Sequence, residues 1–274
     1  MAKIPKFIIL LYHKIGKYPQ NSKFPGLYVE ERDFARQIKY LSDAGYAFLT
    51  LSELKILYDF YYKDGYKGGG GVGVINDENK RHNKSALNNL TGLINERKRY
   101  AAITFDDGSK SVYSGGLKIL EDEGAKATVF MVSGLIGGMN EWDIKNGENG
   151  DEMLNALELK EMAKLGVEIG AHTVTHPHLT RLSADEAYAE ISSSKKALED
   201  LLGADVNFFA YPYGDYNETV KELVEKCGFY GACITKTGIV KKGADFFALK
   251  RVAIRHNTDL FKFKRKICKV GLFY

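Results

Sequence analysis

Short apolar runs alternate with helical patterns along most of this 274-residue chain, and this alternation limits the folds open to it. An apolar run of about six residues bounded by turn residues is typical of a strand that is buried on both faces. The segments between these runs carry apolar side chains at helical spacing and end at glycines such as Gly124 and Gly203. Strands that alternate with helices are usually parallel, so the sequence predicts an α/β fold. The runs interpreted as strands are 7–12, 47–50, 100–105, 127–132, 167–171, 207–211, 231–235 and 248–254.

The number of strands narrows the fold further. Seven or eight strands alternating with helices suit a closed or partly closed barrel, and α/β barrels of about 200–250 residues commonly form one domain. The alternation fails between residues 63 and 98, where polar residues and four consecutive glycines replace the apolar pattern. We therefore predict a single α/β barrel domain over residues 1–274, with a loop insertion near 63–98.

The composition is that of an ordinary globular chain, with 45% hydrophobic and 27% charged residues. The net charge of +4 comes from scattered lysines and arginines, which does not indicate nucleic-acid binding. A basic cluster at 262–266 is typical of a solvated helix face, with contact to an anionic surface or glycan as the alternative. No apolar run approaches the ~18 residues of a membrane span, so none is expected.

The cysteines and the first apolar run bear on the compartment. Cys227, Cys233 and Cys268 are an odd number without metal-binding spacing, so at least one thiol is free and a reducing compartment is favoured. The run at 7–12 is short for a signal peptide, and no small-residue cleavage site follows it. The sequence as it stands predicts a cytoplasmic protein, or an extracytoplasmic one if a signal segment has been removed. It leaves the oligomeric state open.

Two carboxylates and two imidazoles follow two of the predicted strands directly. Asp106 and Asp107 come after 100–105, and His172 and His176 come after 167–171. The carboxyl ends of parallel strands lie on one face of a sheet or barrel, where active sites are built. One carboxylate with two histidines is a common ligand set for a divalent metal, and the second carboxylate is then free to act as a base. The sequence therefore predicts a metal-dependent hydrolase.

Each pair also has a simpler interpretation. An Asp-Gly pair after a strand can be a structural turn that caps the next helix. The histidines are four residues apart, which places both on one face if they lie on a helical turn, but this spacing also arises by chance. His178, two residues further on, is expected at the surface or behind the ligands.

A third stretch, Phe-Phe-Ala-Tyr-Pro-Tyr-Gly at 208–214, also lies at a strand end. Its aromatic side chains, among them Tyr211 and Tyr213, would form a rigid wall that suits sugar rings. A backbone N–H held in such a turn can stabilise an oxyanion. The alternative is a core strand that ends in an ordinary turn.

Together the three stretches resemble the polysaccharide deacetylases, the NodB-like or carbohydrate esterase family 4 group. That family carries a Thr-Phe-Asp-Asp motif, a His-Ser/Thr-x-x-His motif and a third motif ending in Pro-Tyr-Gly. All three occur here in order, and the resemblance covers residues 101–254. The family fold is an irregular (β/α)7 barrel, which agrees with the strand count.

The resemblance implies a role for each motif residue. Asp107, His172 and His176 would bind one divalent metal, with zinc expected first and cobalt or nickel as alternatives. Asp106 would be the catalytic base, and the backbone amide of Tyr213 would help to form the oxyanion hole.

The chain departs from the family pattern in two places. Where many members begin the third motif with an arginine that pairs with the base, this chain has Ala210, and we hypothesise that Arg251 replaces that arginine. The usual late Leu-x-His motif, which supplies the general acid, is matched only weakly at His256. His13, after the first strand, is favoured instead, because it resembles the permuted poly-N-acetylglucosamine deacetylase subgroup. A buried core histidine is the alternative for His13.

The implied activity is removal of N-acetyl groups from an N-acetylated amino-sugar glycan by attack of a metal-bound water. Trp142, the only tryptophan, would border the sugar groove or anchor the loop that carries it. Two alternatives remain at this level. One is a cytoplasmic deacetylase of a small or lipid-linked acylated sugar, and the other is a catalytically silent glycan-binding domain.

Overall fold

The computed structural model of the chain describes residues 6–63, 90 and 99–273, with the side chains of 270–273 left out. The insertion predicted near 63–98 falls almost entirely outside the described residues. Within them, the chain forms ten strands and eight α-helices.

A curled parallel sheet of eight strands forms the centre of the fold. Neighbouring strands run in the order β10-β1-β5-β6-β7-β8-β9. The strand β4 pairs with the first residues of β5, 99–102, and β6 pairs with its last residues, 103–105. The strands β2 and β3 form a separate pair. The strands are β1 Phe7–Tyr12, β2 Lys14–Ile15, β3 Tyr28–Val29, β4 Tyr46–Leu49, β5 Arg99–Phe105, β6 Ala127–Met131, β7 Glu168–Ala171, β8 Phe208–Ala210, β9 Gly231–Cys233 and β10 Val252–Ala253.

The two ends of the sheet approach each other through one short segment. Leu249 hydrogen-bonds with Ala232 and Ile234 beside β9, at 2.9 and 3.0 Å. Three residues later the same segment becomes β10, which pairs with β1. The expected irregular barrel is therefore confirmed. Strand ends that meet around such a barrel bring distant parts of the sequence to one face.

Helices follow most of the strands and cover the outside of the sheet. They are α1 Glu31–Asp43, α2 Leu51–Tyr62, α3 Leu117–Asp122, α4 Glu141–Lys145, α5 Ala156–Lys164, α6 Ala184–Leu202, α7 Glu218–Lys226 and α8 Leu260–Phe273. A π-helical turn, Val112–Gly116, precedes α3. No helix in these described ranges has both the length and the apolar character that a membrane crossing requires.

The helix α2 begins with a side-chain cap. The cap is Thr50, whose hydroxyl accepts the Glu53 N–H at 3.2 Å while the Glu53 carboxylate accepts the Thr50 N–H at 3.0 Å. This reciprocal pair is a capping box, which satisfies two backbone donors at once. Ser52 instead directs its hydroxyl to Glu168.

The core has two layers, because successive strand residues point to opposite faces. Phe7 and Ile9 of β1 belong to a cluster on the concave face of the sheet, which α2 joins from the amino end. Ile8 and Leu10 belong to the larger cluster beneath the other helices. Packing of the two layers holds the strands in place, and it therefore also holds the first residues of the loops that follow them.

Candidate active site

Asp107, His172 and His176 meet at the carboxyl end of the sheet. One carboxylate oxygen of Asp107, Oδ1, lies 3.4 Å from Nε2 of His172 and 3.3 Å from Nε2 of His176. All three side chains are buried, and their ligand atoms lie within 4.8 Å of one another. The sequence thus predicted the right neighbours, one carboxylate with two imidazoles.

The backbone around these residues is strained. Four of the five non-glycine residues with positive φ in the described chain belong to the three motifs, namely Asp107, Thr173, His176 and Tyr213. Such conformations cost about 1–3 kcal/mol each and concentrate at functional sites. The expectation that the histidines share a helical turn is wrong, since β7 ends at Ala171 and a loop follows it. Both imidazoles face Asp107 because Thr173 and His176 turn the loop back on itself.

The two imidazoles are oriented in different ways. His172 donates from Nδ1 to the Ala210 carbonyl at 2.6 Å, which leaves Nε2 as the acceptor atom that faces Asp107. Nδ1 of His176 is buried and has no hydrogen-bond partner among the described residues. Its ring is packed instead between Trp142, stacked at 4.2 Å, and Tyr213, edge-on at 4.6 Å.

This donor set fits a divalent metal. Burial raises the pKa of Asp107, but the contacts with His172 and His176 outweigh it and hold the pKa well below its usual range. For His176 burial dominates and lowers the pKa, whereas for His172 the contact with Asp107 overcomes burial and raises it. An ionised carboxylate and imidazole nitrogens facing one point are ligands that zinc and similar cations accept.

Asp106 pairs with Arg251 rather than with the two histidines. The guanidinium donates from Nη1 and Nη2 to the two carboxylate oxygens, at 2.6 Å each. Arg251 also donates to the Ile234 carbonyl and to the Thr104 hydroxyl, at 3.1 Å each, and it is fully buried. Burial raises the pKa of Asp106, but Arg251 outweighs it and the pKa is lowered. The arginine lies directly before β10, which only β1 separates from β5 in the sheet.

His13 lies at the same end of the sheet, directly after β1. Burial lowers its pKa and outweighs the opposite influence of the nearby carboxylates of Asp107 and Asp106. The other candidate acid, His256, packs edge-on against Tyr18 at 4.5 Å. The Asp106 N–H donates to the Tyr12 carbonyl at 3.0 Å, so the strand that ends just before His13 lies directly beside Asp106.

The aromatic residues of the third motif separate into a core residue and a site residue. Tyr213 is 45% exposed and stacks on His178 at 4.0 Å. Tyr211 is fully buried, and its hydroxyl donates to the Phe247 carbonyl at 3.0 Å, so its expected place in a substrate wall is wrong. Tyr211 points into the helix-covered layer together with Phe209, because residues two apart along a strand lie on the same face.

Glu190 was not predicted from the sequence. This α6 carboxylate accepts the backbone N–H groups of Val174 and Thr175 at 2.8 and 3.0 Å, and the Thr175 hydroxyl at 2.7 Å. It thus anchors the loop that carries both histidines. A glutamate in an amphipathic helix looks like an ordinary surface residue, so its sequence position gave no signal.

Comparisons with known proteins agree with this geometry. The sequence profile of the family described as polysaccharide deacetylase matches residues 94–232. YxkH of Bacillus subtilis (strain 168), whose name assigns it provisionally to the polysaccharide deacetylases, is 28% identical over 253 residues, which are 92% of this chain and 72% of YxkH. The poly-beta-1,6-N-acetyl-D-glucosamine N-deacetylase of Staphylococcus aureus (strain MRSA252) is 24% identical over 275 residues, covering 93% of this chain and 80% of the relative.

A solved structure shares the fold. The Streptococcus pyogenes deacetylase PplD, crystallised in complex with acetate, superposes with a TM-score of 0.70 at 24% identity. The match covers 95% of this chain and 97% of PplD.

Proposed function

The chain belongs to the polysaccharide deacetylase family, and on that premise we propose that it is a metal-dependent hydrolase that removes N-acetyl groups from an amino-sugar glycan. The main observation behind the proposal is that two adjacent carboxylates have different partners. Asp107 faces both histidines, while Asp106 pairs with Arg251. The staphylococcal relative is named for a poly-N-acetylglucosamine substrate, which favours a glycan of that type.

Asp107, His172 and His176 would hold one divalent cation, with zinc as the first candidate and cobalt or nickel as alternatives. When bound, the cation supplies a Lewis acid that acidifies a water molecule and polarises the acetamide carbonyl.

The remaining residues handle protons and charge. Asp106, kept ionised by Arg251, accepts the proton of the attacking water. His13, in its protonated imidazolium form, donates a proton to the leaving amine. The backbone N–H of Tyr213 stabilises the negative charge that develops on the carbonyl oxygen. The exposed rings of Tyr213 and His178 offer a stacked aromatic surface beside the reacting group.

The proposal is tested by measuring metal content and acetate release from N-acetylglucosamine oligomers. We expect about one metal per chain, and we expect Asp106→Asn to keep the metal while losing about 10²–10⁴-fold or more in rate, since the proton acceptor is gone. Asp122→Asn, on the exposed end of α3, is the matched control and should retain full rate.

Other outcomes separate the alternatives. Bound metal without acetate release from any oligomer would direct the search to small or lipid-linked acylated sugars. Sugar binding with no acetate release from any substrate would indicate a catalytically silent glycan-binding domain. A chain that binds no metal after reconstitution with zinc would contradict the proposal.

A further inference from the structure

Lys14 is the most deeply buried lysine of the described chain, with only 2% of its surface exposed. Its ammonium group forms ion pairs with Asp143, at 3.1 Å, and with Asp151. Burial lowers the pKa of Lys14, but the two carboxylates outweigh it, so the pKa is raised and the charge is kept. A buried lysine is rare unless it is paired, and the removal of one partner leaves an uncompensated charge. This cluster therefore fixes the elements that contribute to it.

Both carboxylates belong to residues 139–153, here called the Trp142 segment. The segment folds back on itself, with Asn140 donating to the Asp151 carbonyl through its backbone and to Asp143 through its side chain. Its helix α4 has only five residues. So short a helix is not stable alone and depends on tertiary contacts. Lys14, held in the β2–β3 pair, provides such a contact from the opposite side.

Trp142 is the residue that the segment delivers to the metal ligands. Its indole lies nearly parallel to the His176 imidazole, with 25° between the planes and 4.2 Å between the ring centres. His176 lacks the hydrogen bond that orients His172, because its Nδ1 atom has no polar partner among the described residues. Aromatic packing is thus what sets the direction of the His176 ring.

We propose that Lys14 is a positioning residue: through Asp143 and Asp151 it holds the Trp142 indole against His176 and so directs that imidazole toward Asp107. The first step, from Lys14 to the indole, stands on contacts within the chain. The second step, from the indole to metal affinity, rests on the metal site of the proposed function. The two steps are measured separately.

The first measurement uses the metal-free protein. Trp142 is the only tryptophan, so its emission reports on this one position. We expect Lys14→Met to shift the emission to longer wavelength and to raise the acrylamide quenching constant several-fold, since the segment is released and the indole becomes accessible. Lys110→Met is the matched control, because it removes an ion pair of the same segment, with Glu152, that is exposed. It should leave the emission unchanged.

The second measurement is zinc affinity, by competition with a chelator. Groups that orient a metal ligand typically contribute about 10–100-fold to affinity. We expect a loss of that size for Lys14→Met and none for Lys110→Met. An unchanged quenching constant in folded Lys14→Met would overturn the proposal, and a moved indole with unchanged zinc affinity would overturn its second step.

A second variant and the metal-free measurement distinguish failure of this proposal from a folding defect and from failure of the proposed function. If Lys14→Met does not fold, Asp143→Asn removes one charge at constant size, and it must move the indole for the proposal to stand. If the wild-type chain binds no zinc, the proposed function fails, whereas the quenching experiment still decides whether Lys14 holds Trp142.

Discussion

Two carboxylates at opposite ends of the same sheet have contrasting surroundings. Asp106 follows β5 at the carboxyl end, where Arg251 binds both of its oxygens. Glu168 begins β7 at the amino end, where the groups that its carboxylate contacts in the described chain are all neutral. Those donors are the backbone N–H groups of Leu51 and Ser52, at 2.8 and 3.2 Å, and the hydroxyls of Ser52 and Thr128.

The contrast shows in the two pKa values. Burial raises the pKa of Glu168, and its neutral donors reduce the effect without reversing it. For Asp106 the cation reverses the effect of burial and the pKa is lowered. Glu168 acts as a structural acceptor for the first N–H groups of α2, which have no partner within the helix. The cation beside Asp106 therefore favours the ionised carboxylate, whereas burial of Glu168 without a cation disfavours it.

Removal of that cation should have the largest effect. Arg251→Met leaves Asp106 buried and unpaired, and breaking a buried ion pair in this way costs about 3–5 kcal/mol. We expect the free energy of unfolding, measured in urea, to fall by that amount. The pKa of Asp106 should rise, so the acid limb of the activity profile should move to higher pH.

Arg255→Met is the control for this substitution, since Arg255 lies four residues away on the surface. It should leave both the stability and the profile unchanged. The importance of the Asp106 pair would be refuted by an Arg251→Met variant with wild-type stability and an unshifted profile.

The other carboxylate should have the opposite pH dependence. A group with a raised pKa in the folded state binds its proton more tightly there, so its contribution to stability falls as pH rises from the unfolded pKa to the folded one. For Glu168 this window begins near the ordinary glutamate pKa of about 4.3. Within it, wild type should lose up to about 1.4 kcal/mol per pH unit relative to Glu168→Gln.

Urea unfolding between about pH 4 and about pH 7 measures this difference. Glu121→Gln, on the exposed face of α3, is the control. Asp106 contributes with the reverse sign, because stability from a lowered pKa is lost as pH falls. A gain in the stability of wild type relative to Glu168→Gln as pH rises would contradict the assignment.

The parts of the site that the sequence could predict are those that follow from the order of residues within one strand or one motif. Strand ends are visible as apolar runs, so Asp106 and His172 could be placed at one edge of the sheet before any contact was known. Arg251 was proposed because the resemblance implies an arginine that pairs with the base, and Ala210 stands where many family members carry it. Each of these inferences uses residues within a strand or a motif.

Other features depend on contacts between residues that are far apart in the sequence, and no local sequence pattern indicates such contacts. Lys14 and Asp143 are 129 residues apart, and the sequence around either residue does not predict that the two form an ion pair. Tyr211 was assigned to the wrong face because β8 has only three residues, too few for alternation to reveal which side is buried. The left-handed turns of the histidine loop were hidden as well, since Thr173 is β-branched and rarely adopts positive φ, while histidine adopts it more often than most residues but still uncommonly.

The smallest effect is expected for an ion pair at the surface. Lys118 and Asp122 pair along α3 with side chains that are 75% and 57% exposed. Water solvates both charges nearly as well when they are apart, and salt screens their attraction. Lys118→Met should therefore leave the free energy of unfolding within the precision of a urea titration, at low and at high salt. If this substitution cost as much as Arg251→Met, burial could not be the reason for the strength of the Asp106 pair. A double-mutant cycle with Asp122→Asn measures the coupling energy of the Lys118–Asp122 pair itself. A value near zero would indicate that burial explains the difference between this exposed pair and the Arg251–Asp106 pair.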